Sequence, residues 1–214
     1  AACIARLDPA IMAMLPRTRG VANEIVVARS QRNAYDHAIR TAGGRLVEVG
    51  LPDRFAGAGE RDAEPWEFAA AIGPRTAAVL WVADGMARPA LAELGEVAHA
   101  RGVPVLVDAA AELPPAANLH RFVEAGADLV AISGGKALGG PQASGILAGR
   151  RELIMSAAQQ KLDLDMAMDA FNPPPAFIDK ALLPGLPRNG VGRSCKAGKE
   201  EIAGLMVAHE RFLE

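Results

Sequence analysis

The chain of 214 residues has the length of one large α/β domain or of two small domains. Half of the residues are apolar and 22% are charged, which is a globular composition and excludes an intrinsically disordered chain. A formal net charge of −2 argues against a nucleic-acid-binding surface. The two cysteines, Cys3 and Cys195, lie at opposite ends, which argues against a disulfide scaffold and against a cysteine zinc site.

The two ends of the chain suggest where the protein works and how complete it is. The apolar start is interrupted by Arg6 and Asp8 and follows no basic stretch, unlike a secretory signal, and no apolar run is long enough to span a membrane. We therefore expect a cytoplasmic protein. The chain ends at Glu214 inside a helical pattern without a C-cap residue, so we expect a piece of a longer protein.

Short apolar runs bounded by turn residues alternate with helical patterns along the chain. The runs predict strands at 24–28, 45–49, 77–82, 103–108, 128–133 and 145–148, most of them buried on both faces. Helices are predicted between the strands, for example at 89–101 and 119–125, each followed by a glycine. This alternation predicts an α/β fold with a mostly parallel sheet and helices on both faces, which binds ligands at the carboxyl ends of its strands.

Residues 160–192 interrupt the alternation. They are rich in proline and glycine, and we expect a long irregular segment that serves as a lid or an interface arm. A helix resumes after Lys196, with a clear helical pattern from Lys199 to Leu213.

Several common site motifs are absent from the sequence. No Gly-x-Gly-x-x-Gly follows a strand, and the segment 134–137 departs from a phosphate-binding loop because Ala137 cannot bind Mg²⁺ and position 130 is Val. The four histidines are not at metal-ligand spacing, and no Gly-x-Ser-x-Gly elbow occurs, so we expect no metal site. His99 is expected to be a solvated surface residue.

Two strand ends carry residues that could take part in catalysis. Asp108 ends an apolar strand, where an unpaired charge is costly, so we expect it to have a cationic partner or a set of hydrogen bonds. The alternative is a carboxylate that caps a helix or fixes a loop. Lys136 follows the next strand within Ser-Gly-Gly-Lys, where partial desolvation would favour its nucleophilic form. The alternative for Lys136 is a solvated loop lysine.

Asp108 and Lys136 together suggest one cofactor. With one helix and one strand between them, they would lie side by side at the edge of a parallel sheet. A lysine that forms a Schiff base with an aldehyde, and a carboxylate that pairs with a pyridinium nitrogen, are what a protein contributes to pyridoxal phosphate chemistry.

The sequence resembles the fold-type I pyridoxal phosphate enzymes, in particular the group of L-seryl-tRNA selenium transferase (selenocysteine synthase) and D-glucosaminate-6-phosphate ammonia-lyase. The matching stretches are 107–115, 126–130, the block 133–145 (Ser-Gly-Gly-Lys-Ala-Leu-Gly-Gly-Pro-Gln-Ala-Ser-Gly) and 193–200, with weaker likeness at 35–37 and 46–50. The resemblance covers nearly the whole chain, and the 133–145 block is its most specific part.

The resemblance implies a role for particular residues. Lys136 would be the Schiff-base lysine and proton shuttle, and Asp108 would keep the pyridine nitrogen protonated. Ala110 would lie against one face of the ring and Ser133 would help to hold the cofactor phosphate. Gln31 stands where related sequences often have a ring-stacking His, with Asn33 and Tyr35 as other candidates. Arg193 and Lys196 match two basic positions on the substrate side, although Lys196 replaces the usual Arg and lacks its bidentate geometry.

The resemblance also implies an organisation and a set of activities. Residues 1–192 would form the cofactor-binding large domain, without the family's phosphate loop, and 193–214 would begin the helix that leads to a small C-terminal domain. We expect a homodimer or larger homo-oligomer that acts as a lyase or transferase on a small anionic amino acid or amino sugar acid. The alternatives are an L-seryl-tRNA selenium transferase, which would bind a tRNA, and a non-catalytic scaffold.

Overall fold

Six strands form one sheet in the order β2-β1-β3-β4-β5-β6 in a computed structural model of the chain, which describes residues 1–51 and 62–214. The strands are β1 (Glu24–Ala28), β2 (Arg45–Val49), β3 (Thr76–Val82), β4 (Val105–Asp108), β5 (Leu129–Ser133) and β6 (Gly145–Gly149). Strands β1 to β5 are parallel and β6 is antiparallel to β5. The mostly parallel α/β sheet predicted from the sequence is confirmed, with each strand close to its predicted place.

Alternate residues of the central strands supply two separate cores, one on each face of the sheet. On β1, Val26 packs into one core and Val27 into the other, and on β3 the same holds for Val79 and Leu80. Because successive strand residues point to opposite faces, this alternation requires a cover on both sides.

Helices provide that cover. They are α1 (Ala2–Ala5), α2 (Pro9–Met14), α3 (Asp36–Thr41), α4 (Pro65–Ala71), α5 (Leu91–His99), α6 (Asn118–Glu124), α7 (Arg151–Lys161) and α8 (Lys199–Leu213). Phe68 of α4, Leu94 of α5 and Phe122 of α6 are buried in the first core. Met12 of α2 and Leu153 of α7 are buried in the second core. The helices therefore lie on both faces, as predicted.

The two edge strands differ from the expectation of strands buried on both faces. In β2 only Val49 is buried, and no residue of β6 is buried. Among the described residues each of these strands pairs with a single neighbouring strand, as expected at the edge of a sheet. An apolar run cannot by itself distinguish an edge strand from a central one.

The segment 160–192 is irregular, as predicted, but it has a small core of its own. Leu164, Phe171, Ile178 and Leu183 are buried together with Met155 of α7. Burial of these side chains stabilises a fixed path across the surface, in which the regular structure after Lys161 is limited to short 3-10 turns. The segment is therefore held on the domain by apolar packing, which the expectation of a lid or arm did not include.

His99 lies at the amino ends of the strands, opposite to the candidate site. Its ring nitrogen is 2.7 Å from the buried carboxylate of Asp128, which also accepts a hydrogen bond from the Val105 amide at 2.7 Å and pairs with Arg150 at 3.2 Å. His99 is exposed, as predicted, and its ring in addition contacts this buried carboxylate. The helices of the described part of the chain are too short or too polar to cross a bilayer.

Candidate functional site

A cavity of about 590 Å³ opens at the carboxyl ends of β3, β4 and β5. Its lining comes from four places in the chain, namely the segment after β1 and the carboxyl ends of β3, β4 and β5 with the residues that follow them. The lining residues are Asn33, Tyr35, Asp36, Ala38 and Ile39; Leu80, Val82 and Ala83; Leu106 to Asp108, Ala110 and Ala111; and Ala131, Ser133 and Lys136. Four predicted site residues, Asp108, Ala110, Ser133 and Lys136, thus line one cavity. This is the edge at which a parallel sheet binds ligands.

The pairing of β4 with β5 brings Asp108 towards Lys136. Asp108 lies opposite Ala131 in the parallel register, and Ser133 ends β5 two residues later. The Oδ1 atom of Asp108 accepts a hydrogen bond from the Ala110 amide at 3.1 Å, which shapes the turn after β4. The carboxylate therefore fixes a loop, the alternative considered from the sequence. Of the two kinds of partner expected for it, a cation or hydrogen bonds, the described residues supply the hydrogen bond from Ala110.

Lys136 lies on an exposed turn at the rim of the cavity. Its backbone carbonyl accepts a hydrogen bond from the Gly139 amide at 2.9 Å, while its side chain has no ion pair within residues 1–51 and 62–214. The prediction that this amine is desolvated by the preceding strand is wrong for this structure, because Lys136 is exposed. A free, accessible amine remains available to a ligand in the cavity.

The glycines around Lys136 allow the chain to pack against itself. A Cβ on Gly134 would collide with the Ser144 hydroxyl, and one on Gly135 would lie 2.8 Å from the Gln142 Cα. A backbone hydrogen bond from the Gly134 amide to the Ser144 carbonyl, at 3.0 Å, holds the returning loop in place. The residues that lie closest to these two positions are Gln142, Ser144 and Leu205.

Gln31 does not line the cavity. It is buried in a 3-10 turn after β1, where its amide nitrogen donates to the Val82 carbonyl at 2.9 Å and its amide oxygen accepts from the Val82 amide at 3.2 Å. Both halves of the amide are thus used to continue the pairing of β3 beyond the end of β1. Asn33 and Tyr35, the other stacking candidates, do line the cavity.

Asp36 is a cavity residue for which the sequence suggested no role. It is buried, and its carboxylate accepts a hydrogen bond from Arg32, whose guanidinium also contacts Glu48. The hydrogen bond to Asp36 is the main cause that raises the pKa of Arg32 above its usual value. The spacing of four residues between Arg32 and Asp36 was the available signal for this pair.

Arg193 and Lys196 line a second cavity of about 570 Å³. Arg193 lies in a 3-10 helix (Val191–Cys195), and its Nη2 atom is 2.8 Å from the Oδ2 atom of Asp163. The hydrogen bond from Arg193 is the main cause that lowers the pKa of Asp163, and the charge of Lys196 adds to it. The two basic residues therefore share a cavity with each other but not with Lys136.

The two cavities flank the same turn. Ser133 and Lys136 line the first cavity. Between them, a Cβ on Gly134 would touch Ser144 and lie 2.8 Å from Leu205, and both of these residues line the second cavity. A substitution in this turn would therefore displace residues that line both cavities. No cluster of three or more metal-ligating side chains occurs in the part of the chain that the structure describes.

Comparison with known sequences supports the resemblance seen in the motifs. The sequence model of L-seryl-tRNA selenium transferase (SelA) matches residues 34–172. D-Glucosaminate-6-phosphate ammonia lyase from Salmonella typhimurium is 32% identical over 222 residues, covering 99% of this chain and 49% of that protein. A 5'-C-glycyluridine monooxygenase-decarboxylase from Streptomyces is also 32% identical, covering 99% of this chain and 46% of that protein.

An L-seryl-tRNA(Sec) selenium transferase from Rhizobium meliloti is 33% identical over 172 residues, covering 70% of this chain and 35% of that protein. The chain thus spans less than half the length of each of these relatives. The solved structure of a D-glucosaminate-6-phosphate ammonia-lyase matches with a TM-score of 0.75 and 31% identity over 99% of this chain and 49% of that one. A cysteine desulfurase from Escherichia coli, 19% identical with a TM-score of 0.57 over 97% of this chain and 50% of that one, shares the fold. The predicted fold-type I architecture is confirmed.

Proposed function

Because the chain belongs to the L-seryl-tRNA selenium transferase family, we propose that it binds pyridoxal phosphate and acts as a lyase or transferase on a small anionic amino compound. The main support is one observation: Lys136, Asp108, Ser133 and Ala110 line the same cavity at the carboxyl ends of adjacent strands. This set supplies an amine, a carboxylate, a hydroxyl and a small apolar surface.

The residues present fit the chemical parts of this cofactor. An exposed amine suits an aldehyde, a carboxylate suits a pyridinium nitrogen, and a hydroxyl at a strand end suits a phosphate. Ala110 contributes only a methyl group, which leaves more room for a flat ring than a larger side chain would. The Oδ1 atom of Asp108 already binds the turn amide, so the remaining oxygen is the one that would accept from the ring nitrogen.

Each residue of this chain would then have a distinct task. The Lys136 amine would bind the cofactor aldehyde and, once substrate replaces it, hold or move the proton at the substrate α-carbon. The Asp108 carboxylate would keep the ring nitrogen protonated, and the Ser133 hydroxyl would donate to the phosphate. When bound, the cofactor supplies an electron sink for negative charge at the α-carbon.

The second cavity would bind the anionic part of the substrate. Arg193 offers a planar donor fork and Lys196 a further positive charge, the groups that carboxylates and phosphates prefer. Both cavities border the turn from Ser133 to Lys136, which supports one substrate that contacts both.

Two observations bear on the choice of reaction. The ammonia lyase aligns with 99% of the chain, including Arg193 and Lys196, whereas the Rhizobium selenium transferase aligns with 70%. This difference favours elimination of ammonia from an amino sugar acid over selenium transfer. The match of the transferase family model keeps selenium transfer to a seryl-tRNA as the second candidate. A homodimer or larger homo-oligomer stays a prediction of the family resemblance.

Reduction of the cofactor-loaded protein with borohydride, followed by peptide mapping, tests the central assignment. We expect the label on Lys136 and its loss in Lys136→Ala. Lys180→Ala is the matched control, because Lys180 is an accessible lysine outside the first cavity and should leave the label in place. A label on another lysine would contradict the assignment, and no label at saturating cofactor would favour a non-catalytic scaffold.

A second experiment separates the two reactions. A panel of amino acids and phosphorylated amino sugar acids is scored for release of ammonia and keto acid, and a gel shift tests binding of seryl-tRNA. Release of ammonia without a tRNA shift would support the lyase. A tRNA shift without release of ammonia would support the transferase.

A further inference from the structure

The second cavity combines three cationic side chains with a single carboxylate. Lys161, Arg193 and Lys196 line it, and Asp163 is the one acidic residue in its wall. The only ion pair among these four side chains joins Arg193 to Asp163. The cavity therefore carries an excess of positive charge even while Arg193 is paired with Asp163.

We infer that Asp163 is an internal counter-ion, which holds the Arg193 guanidinium until a small oxyanion displaces it. This inference rests on the proposed function, in which Arg193 and Lys196 bind the anionic group of the substrate. It adds a further residue that determines how tightly anions bind, and it assigns Lys161 to the same site.

The two partners of the ion pair differ in exposure. The Arg193 side chain is 27% exposed and forms part of the cavity wall, whereas the Asp163 side chain is 62% exposed. A carboxylate that is already mostly hydrated loses little when it turns into solvent, so this pair is easily exchanged for another anion. The guanidinium would stay in place and keep its donor fork directed at the replacement.

The backbone around Asp163 allows this exchange. Asp163 follows the end of α7, where Leu162 is already extended, and no helix or strand includes it. The next residue, Leu164, is buried in the small core of the 160–192 segment. The side chain of Asp163 can therefore change its direction while Leu164 remains anchored.

Charge supports the same conclusion. Arg193 first, then a backbone hydrogen bond from Asp165 and last the charge of Lys196 lower the pKa of Asp163, so its carboxylate is ionised at neutral pH and competes with other anions. Removing this charge leaves Arg193 unpaired within the described residues and removes a repulsion on any arriving oxyanion. Anion affinity should rise when Asp163 is neutralised.

The test measures inorganic phosphate binding by isothermal titration calorimetry, on protein saturated with cofactor so that the first cavity is filled. Asp163→Asn should bind phosphate about three- to tenfold more tightly than the unmodified protein. Asp169→Asn is the matched control, since it removes an equal charge from the same exposed segment but does not line the cavity. It should change the affinity by less than about twofold, because distant exposed charges are screened.

Two further variants locate the effect. Arg193→Gln should weaken phosphate binding by about tenfold or more, since it removes a charge-assisted hydrogen bond. When Arg193 is already replaced by Gln, Asp163→Asn should increase the phosphate affinity by less than it does in the otherwise unmodified protein. Borohydride labelling of Lys136 on the same samples checks that each variant is folded and cofactor-bound.

The outcomes separate the counter-ion from the anion site. If Arg193→Gln weakens binding but Asp163→Asn behaves like Asp169→Asn, the anion site stands and the counter-ion role of Asp163 is overturned. If phosphate binding is absent throughout, or unaffected by Arg193→Gln, the anion site itself is overturned. Labelling of Lys136 would still decide the cofactor proposal independently.

Discussion

Replacement of Gly134 by alanine tests how closely the turn that carries Lys136 is packed. A Cβ at this position would collide with the Ser144 hydroxyl and would lie 2.8 Å from the Leu205 methyl and 3.0 Å from the Ser144 carbonyl carbon. Leu205 can rotate, but the Ser144 backbone is held by the 3.0 Å hydrogen bond from the Gly134 amide to the Ser144 carbonyl. The added methyl must therefore displace the Ser144 side chain.

The cost follows from these contacts. Overpacking of a tight site costs about 1–3 kcal/mol. Displacement of the Ser144 hydroxyl also breaks its 2.6 Å hydrogen bond to the Pro141 carbonyl, which contributes about 0.5–1.5 kcal/mol. We expect Gly134→Ala to lower the free energy of unfolding by about 2–4 kcal/mol. Since the turn carries Lys136, the yield of borohydride label at limiting cofactor should fall as well.

Equilibrium unfolding in urea measures the first effect. Gly73→Ala is the control, because a Cβ there meets nothing within 4 Å and the backbone is not in the left-handed region. Loss of chain entropy in the unfolded state should make that variant equal to or up to about 1 kcal/mol more stable than the unmodified protein. The double variant Gly134→Ala/Ser144→Ala removes the main collision and should recover part of the loss. Equal stability of Gly134→Ala and Gly73→Ala would refute the packing argument.

Two further predictions concern the neighbouring strand ends. Asp108→Asn keeps an oxygen that can hold the turn but removes the charge, so the free energy of unfolding should change by less than about 1 kcal/mol. Turnover should fall about tenfold or more, because each unit by which the pKa of the ring nitrogen falls lowers its protonated fraction about tenfold. Near-normal turnover would exclude pairing with the ring nitrogen. Gln31→Met keeps the buried volume but leaves the Val82 amide and carbonyl without their partner, and should cost about 1–3 kcal/mol in urea unfolding with cofactor labelling retained. Gln142→Met, which removes one exposed hydrogen bond, should be nearly neutral; a cost equal to that of Gln31→Met would argue against the strand-extending role.

The sheet and the first cavity could be predicted from local patterns. Apolar runs with turn residues at each end define strands, and a helix between two such runs leads to a parallel pair. This reasoning was sufficient to predict that Asp108 and Lys136 lie at the same edge of the sheet, because strands β4 and β5 are consecutive in the chain and adjacent in the sheet. The 133–145 block indicated the family, and the match of the selenium transferase family model to residues 34–172 confirms it.

Only the tertiary structure decided which partners the polar residues have. The amide of Gln31 binds the Val82 backbone, a contact across 51 positions of sequence, and not the cavity for which the family pattern proposed it. Arg193 contacts Asp163 across 30 positions and lines a second cavity, although Arg193 and Lys136 belong to stretches with the same family likeness. Lys136 is exposed although its strand is buried, since the turn carries its side chain beyond the core.

The physical reason is the range of the interactions involved. Strand and helix periodicity comes from backbone geometry and the burial of nearby apolar side chains, which a window of a few residues contains. Hydrogen bonds, ion pairs and the lack of space at Gly134 depend on atoms that distant segments bring within 3 Å or so. Residue identities along the chain therefore determined which chemical groups are present, while packing of the folded chain determined which cavity each group faces and which partner it already holds.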